Sequence, residues 1–277
     1  MRVITVCNRK GGVGKTSTAA SLAALLSARG ARVLCLDTDG QPYNLSTIAG
    51  ADKSRAGMWE LLTEESPTAQ SVRACIQPTE SMGDMVAAER SLECVDSALD
   101  RVFCKEQVMA SALGLVDADY DYAVVDTPPG LGNRTLAALV AADDVLVPTS
   151  ATADCTGAVF EVLGTLAKIR SRMGAAARRE ISVAGVLVLD WLQNRETQSR
   201  DSQLRRLCAD QGAGVFAARV RHTVSVPKAH GGCQPVVLAD PGCTASRDYA
   251  AALAEYLALP GRDWTSPDFR GAARAMW

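Results

Sequence analysis

The sequence predicts an α/β fold, a doubly wound and mostly parallel sheet with helices on both faces. Two observations carry that reading. Short apolar runs rich in β-branched residues recur along the chain, and helix-length segments separate them. The runs are continuously apolar and do not alternate, as in strands covered on both sides. Strand and helix in alternation, joined by short connections, build a parallel sheet with ligands at its carboxyl edge.

The elements follow in order. VITVC (3–7) reads as the first strand, and TSTAASLAALLSARG (16–30) as a helix with leucines and small residues at helical spacing and a glycine placed to end it. VLCLD (33–37) is the second strand. Residues 50–118 are poorer in strand signal: MVAA (85–88) reads as one short strand, and 57–65, 89–101 and 106–116 as helical. YAVVD (122–126), VLVP (145–148) and ISVAGVLVLD (181–190) are further strands, with the helix TGAVFEVLGTLAKIRSRMG (156–174) before the last of them. Two shorter apolar runs, VFAA (215–218) and PVVL (235–238), are also strand candidates. There is no internal repeat and no low-complexity linker. The expected organisation is one domain over 1–260 and a tail at 261–277.

Composition bounds the function classes. The chain has 277 residues, 48% hydrophobic and 22% charged, which is ordinary for a globular protein and far from disordered or fibrous sequences. No apolar run approaches the roughly 18–20 residues of a membrane span. The glycine loop lies within a dozen residues of Met1, which leaves no room for an export signal, so the expected location is cytoplasmic. Nine cysteines without a CxxC pair point to reduced thiols used as small apolar residues and away from structural zinc. The net charge of −2 is unevenly placed: −8 over residues 1–167, +7 over 168–230 and −1 over 231–277. A basic segment in an acidic protein is either a polyanion-binding face or a set of solvated helix surfaces.

The chemistry begins at KGGVGKTS (10–17), where a strand runs into a glycine loop and then a helix. Gly11, Gly12 and Gly14 let backbone N–H groups of the loop, Val13 included, converge on phosphate oxygens with no Cβ in the way. The helix opening at Lys15 adds its positive N-terminal end. Lys15 is placed to reach the β- and γ-phosphates, Thr16 to ligate Mg²⁺, and Ser17 to complete the loop's contacts. The strict pattern G-x-x-x-x-G-K-[ST] fails at its first position, which is Arg9, and a second lysine, Lys10, precedes the glycines. Asp126 ends an apolar strand where a magnesium-associated aspartate belongs. Asp37 and Asp39 end another, on the same side of it, although strand-end aspartates also cap the turns that follow them.

KGGVGKTS (10–17), LDTDGQPYN (36–44), DYDYAVVDTPPGLG (119–132) and VLVPTSATADCTG (145–157) together resemble the ParA family of partition ATPases, in the deviant Walker-A group of P-loop NTPases that also holds MinD. The resemblance continues weakly through 81–93 and 224–256. It implies an ATPase with ATP and Mg²⁺ as cofactors and an ATP-dependent homodimer. The lysine matching Lys10 would cross the dimer interface to the partner's phosphates. The aspartate matching Asp39 would position water for hydrolysis and would belong, with Thr16 and Asp126, to the metal site. Two departures stand out. The family's D-P-Q-G-N reads Asp39-Gly40-Gln41-Pro42-Tyr43-Asn44 here, and ARVRH (218–222) takes the place of its adenine-contacting P-R-N.

The resemblance further implies non-specific DNA binding through the basic segment, with Arg195, Arg200, Arg205, Arg206, Arg219, Arg221 and Lys228 as candidate phosphate contacts. The protein would then be nucleoid-associated, and a ParB-like adaptor would select the site. The alternative is a MinD-like membrane ATPase. FRGAARAMW (269–277) sets Phe269, Ala272, Ala273, Met276 and Trp277 on one helical face beside Arg270 and Arg274. Nine residues with three large side chains suit a tail packed on its own domain better. An amidoligase-like role would need a substrate pocket that the sequence does not reveal.

Overall fold

A computed structural model describes residues 1–89, 92, 94–173 and 180–260 of the chain. The tail expected at 261–277, and with it the amphipathic face of 269–277, lies outside the described residues. The elements are β1 (Arg2–Val6), α1 (Lys15–Ala28), β2 (Val33–Asp37), α2 (Leu45–Ile48), α3 (Met58–Thr63), α4 (Ala69–Ala74), β3 (Ile76–Pro78), β4 (Asp84–Val86), α5 (Val95–Leu99) and α6 (Val108–Leu115). They continue with β5 (Tyr122–Asp126), α7 (Asn133–Ala141), β6 (Asp144–Ser150), α8 (Ala153–Met173), β7 (Ser182–Trp191), α9 (Arg195–Asp210), β8 (Val215–Arg221), α10 (Ser225–Gly231), α11 (Val236–Ala239) and α12 (Thr244–Leu257).

The strands form one sheet in the order β3-β4-β2-β5-β1-β6-β7-β8. Every described pairing is parallel except β3 with β4. From β1 the chain turns first to β2 on one side and later to β6 on the other. The loop leaving β1 therefore lies at the switch point, where a crevice opens at the carboxyl ends of the strands.

Period-two alternation within the strands separates two layers. Ile4, Val6, Val33, Cys35, Tyr122, Val124 and Leu146 face one core, with α1, α11 and α12 packed over it. Leu34, Leu36, Ala123 and Val125 face the other, under α3, α6 and α7, and that layer continues under α8 and α9 through Val145, Val147, Val186 and Val188. Helix α1 ends as expected at Gly30, whose positive φ of 84° lets its N–H reach the Ser27 carbonyl while Ala31 N–H reaches Leu26. This double closure satisfies the last carbonyls of the helix.

Two expectations need correction. PVVL is not a strand: Pro235 starts the short helix α11, and Val236 and Val237 are buried in the layer shared with α1 and α12. A short apolar run fits a buried helix as well as a strand, and here Pro235 at the N-cap decides. The region 50–118 holds a second strand, β3, that the pattern did not show. It is three residues long and antiparallel at the sheet edge. In the helical stretch read at 89–101, Leu92 and Cys94 have 3₁₀ geometry and α5 follows at Val95–Leu99, while residues 90, 91 and 93 lie outside the described residues.

Candidate nucleotide-binding site

The loop from Cys7 to Gly14 is pinned at both ends. Asn8 Nδ2 donates to the Pro148 carbonyl at 2.7 Å, and Asn8 Oδ1 accepts from Lys10 N–H at 3.0 Å. Gly130 N–H donates to the Arg9 carbonyl at 2.9 Å, which ties the loop to the turn after β5. Gly14 is required twice over. It caps α1 in the left-handed region, at φ 80°, and a Cβ there would come within 2.5 Å of Leu189 Cδ1 on β7. Lys15 is 7% exposed, and its Nζ curls back to donate to the Lys10 carbonyl at 3.1 Å. Lys15 is thus inside the loop and Lys10 on its half-buried rim.

Beside the loop stand three aspartates. Asp126 and Asp37 are register neighbours at the ends of β5 and β2, and both are fully buried. The Asp37 carboxylate is committed locally: it accepts from Ser46 N–H at 2.7 Å, from the Ser46 hydroxyl and from Asp39 N–H at 3.0 Å. The capping role weighed for Asp37 is therefore the one the structure shows. Asp126 differs. Neither of its carboxylate oxygens meets a hydrogen-bond partner. Burial, and then the Asp37 charge, hold its carboxyl well above the ordinary range, while the Thr16 hydroxyl and the Lys15 ammonium favour its charged form. Burial also raises Asp37, to about 6, and lowers Lys15.

An unsatisfied buried carboxylate next to a threonine at a helix start fits a magnesium site. Among the described residues no group of three His, Cys, Asp or Glu side chains is arranged to hold a metal by itself. Mg²⁺ needs no such group, because it keeps several waters and takes one or two protein oxygens plus phosphate oxygens. Asp39 lies on the loop after β2, and that loop is closed despite its departure from the family pattern. Asp39 Oδ1 accepts from Gln41 N–H at 3.1 Å, its carbonyl accepts from Asn44 Nδ2 at 2.7 Å, and Asn44 caps α2 through Thr47 N–H.

A cavity of about 260 Å³ opens beside the loop, between Gly12–Gly14 and the ends of β7 and β8. Val220, Arg221 and His222 line it, so part of the segment 218–222 does border the loop. Leu189, Asp190, Pro227 and Tyr249 also line it, and the sequence reading missed them. Asp190 was within reach, because it closes the apolar run of β7 as Asp37 and Asp126 close theirs. It sits in the left-handed region at φ 55° and pairs with His222 Nδ1 at 2.5 Å. Tyr249 gave no signal, being one apolar position of α12.

Residues 1–179 match a family model described as an AAA domain. The chain is also 31% identical to the chromosome partitioning protein ParA of Caulobacter vibrioides over 254 residues, covering 90% of this chain and 91% of that one. The chain belongs to the ParA family of P-loop ATPases. Two solved structures share the fold of this ParA-family protein. One is an ATP complex of a McdA variant of Cyanothece, at TM-score 0.79 and 20% identity, covering 93% of this chain and 96% of that one. The other is cobyrinic acid a,c-diamide synthase of Mycobacterium smegmatis with a bound ATP analogue and magnesium, at TM-score 0.71 and 27% identity, covering 87% and 93%.

The basic segment of this ParA-family member divides by partner. Arg205 and Arg219 converge on the buried Asp201 at 2.9 and 2.7 Å. Arg205 also donates to the Val215 and Phe216 carbonyls, and Arg219 lies 4.8 Å over the Trp191 ring. Arg200 pairs with Glu196, and Arg221 with Asp248. Arg195, Arg206 and Lys228 have exposed side chains. Arg195 and Arg206 are eleven residues apart on α9, three helical turns, and so share a face. Among the described residues no helix is long and apolar enough to cross a membrane.

Proposed function

We propose that this protein binds ATP with Mg²⁺, forms an ATP-sandwich homodimer and, in that state, binds DNA non-specifically. Adaptor-stimulated hydrolysis then releases it, so that a plasmid, chromosome or other cargo is partitioned or positioned on the nucleoid. The observation that carries the reading is the division of labour between two lysines on one loop. Lys15 is buried within the loop beside Asp126, whereas Lys10 stands on its rim at the carboxyl edge of the sheet.

The roles follow from placement. Lys15 and the N–H groups of residues 11–17 hold phosphate oxygens, and Thr16 and Asp126 hold the metal. Bound there, Mg²⁺ neutralises charge on the β- and γ-phosphates. Asp39, on a loop closed by its own hydrogen bonds, orients the attacking water. Lys10 serves the partner's nucleotide: a cation supplied in trans stabilises the transferring phosphoryl group and makes assembly depend on the γ-phosphate. Arg195, Arg206 and Lys228 offer the exposed charge for DNA phosphates.

Lys10→Ala tests this directly. The variant is expected to keep nucleotide binding and to lose ATP-dependent dimerisation on a sizing column; normal dimers defeat the trans role. DNA retention with ATP against ADP across a salt series tests the rest. Binding that is ATP-dependent, salt-sensitive and indifferent to sequence supports partition, and its absence with both nucleotides removes the DNA reading.

A further inference from the structure

Helix α10 stands between two parts of the nucleotide site. The approach to it and its first turns, through His222, Thr223, Val226 and Pro227, form one wall of the cavity beside the phosphate loop. Its last turn carries His230, whose Nε2 lies 2.9 Å from the hydroxyl of Ser17, in the first turn of α1. Ser17 itself faces the same cavity. One seven-residue helix thus borders the space beside the phosphate loop and grips the helix that the loop opens.

Apolar contact also holds α10: Ala229, its one buried side chain, belongs to the core under α1 and α12, and Val226 packs against it half-buried. Ser225 donates to Asp240 at 2.8 Å, which ties α10 to the end of α11 and not to the loop. Among the described residues, the His230–Ser17 contact is the side-chain hydrogen bond that joins α10 to α1. Burial keeps the His230 ring below the ordinary histidine range, so the ring is neutral near pH 7. A neutral imidazole offers Ser17 one nitrogen at a fixed position, with no charge of its own to attract phosphate.

We propose that His230 is a positioning residue for the bound nucleotide: through Ser17 it holds α10 as the wall against which the nucleoside packs. The proposal rests on the nucleotide reading of the site. Its consequence is selective. Phosphate oxygens are held by the loop backbone and Lys15, and the tether meets Ser17 through its hydroxyl, not its N–H. The nucleoside depends on a wall that is costly to order unless it is already held in place. Losing the tether should therefore weaken nucleotides while sparing inorganic tripolyphosphate.

The experiment measures Kd for ATP and for tripolyphosphate by fluorescence titration and competition. The full-length protein is compared with His230→Ala, His230→Gln and His230→Asn. A glutamine amide sits near the position of Nε2, and asparagine stops near that of Nδ1. His230→Ala is expected to weaken ATP about fivefold, the loss of one neutral hydrogen bond, and to leave tripolyphosphate unchanged. Glutamine restores ATP affinity and asparagine does not. In a Ser17→Ala background, His230→Ala adds no further loss. Unchanged ATP affinity in His230→Ala overturns the proposal, as does equal loss of both ligands, or Asn behaving as Gln. Should His230→Ala melt early, the Gln–Asn pair carries the comparison. A wild-type protein that binds no ATP overturns the nucleotide reading itself, and that titration alone tells the two failures apart.

Discussion

Asp126 and Asp201 are both buried aspartates of one sheet-and-helix scaffold, yet only the second is paired with arginines. Asp126 ends β5 with neither oxygen hydrogen-bonded, and its carboxyl is held well above the ordinary range by burial and by Asp37. Asp201 sits on α9 with Oδ2 receiving both Arg205 and Arg219, while its Oδ1 meets no hydrogen-bond partner. Those partners outweigh burial and hold its carboxyl below the ordinary range. An unpaired buried carboxylate costs stability and persists where a ligand completes it, whereas a paired one serves the fold. At the acidic carboxyl edge Asp126 is such an incomplete group, beside an Asp37 carboxylate committed to Ser46 and Asp39. The basic α9–β8 region spends part of its charge on closing itself.

The largest effect that sharpens the contrast is at the incomplete edge. Lys15→Ala removes the buried cation beside Asp126, and kcat/KM for ATP hydrolysis is expected to fall by about 10²–10³. Its folding stability should drop far less; a collapse in denaturation would mean that Lys15 serves the fold. Asp201→Ala is the converse. It leaves two arginines facing an apolar gap, and because both are about one-third exposed the loss is expected at about 2 kcal/mol in urea denaturation. ATP hydrolysis by the folded variant should be unchanged, and loss of activity without loss of stability breaks the comparison.

A pH series gives a smaller signature. Asp37 has a folded-state carboxyl raised to about 6, above its unfolded value near 4, so the folded protein binds the extra proton between those limits. Its contribution therefore falls as pH rises from about 4 to 6 and is flat above that window. Melting of the metal- and nucleotide-free protein should show this decline, and Asp37→Asn should reduce it to the part that the raised Asp126 carboxyl contributes; a decline unchanged in Asp37→Asn assigns the whole slope elsewhere. The smallest effect separates exposed from committed arginines. Arg206→Ala should reduce the slope of log K for DNA against log salt by about 0.9. Arg205→Ala should leave the slope nearly unchanged and lower stability instead. Equal slope changes in the two would show that the Asp201 pairing does not withhold Arg205 from DNA.

Legibility followed range. The glycine loop, Asp126 and the central strands were readable because each is local: a continuous apolar run, a strand-end acid, glycines where the backbone must approach an anion. PVVL misled because four apolar residues carry no period of their own. The β3 strand was missed because a three-residue edge strand ending in Pro78 has neither alternation nor length. Asp190 carried the strand-end signal that marked Asp126, but nothing local shows that β7 ends on the cavity. The basic segment was visible as charge, while its division between Asp201, Asp248 and solvent was not.

By itself the sequence determined the sheet type, the loop that receives phosphate, and the lysine and carboxylate that face it, because short-range sterics and hydrophobic periodicity fix those choices. Tertiary structure alone decided what stands around them. Ser17 and His230 are 213 positions apart, and Asp201 meets Arg219 only where α9 packs on β8. Such contacts follow from the order of strands and the seating of helices, which no local pattern encodes. The second lysine of the loop is thus written in the sequence, whereas the wall that α10 sets beside the loop is a product of the fold.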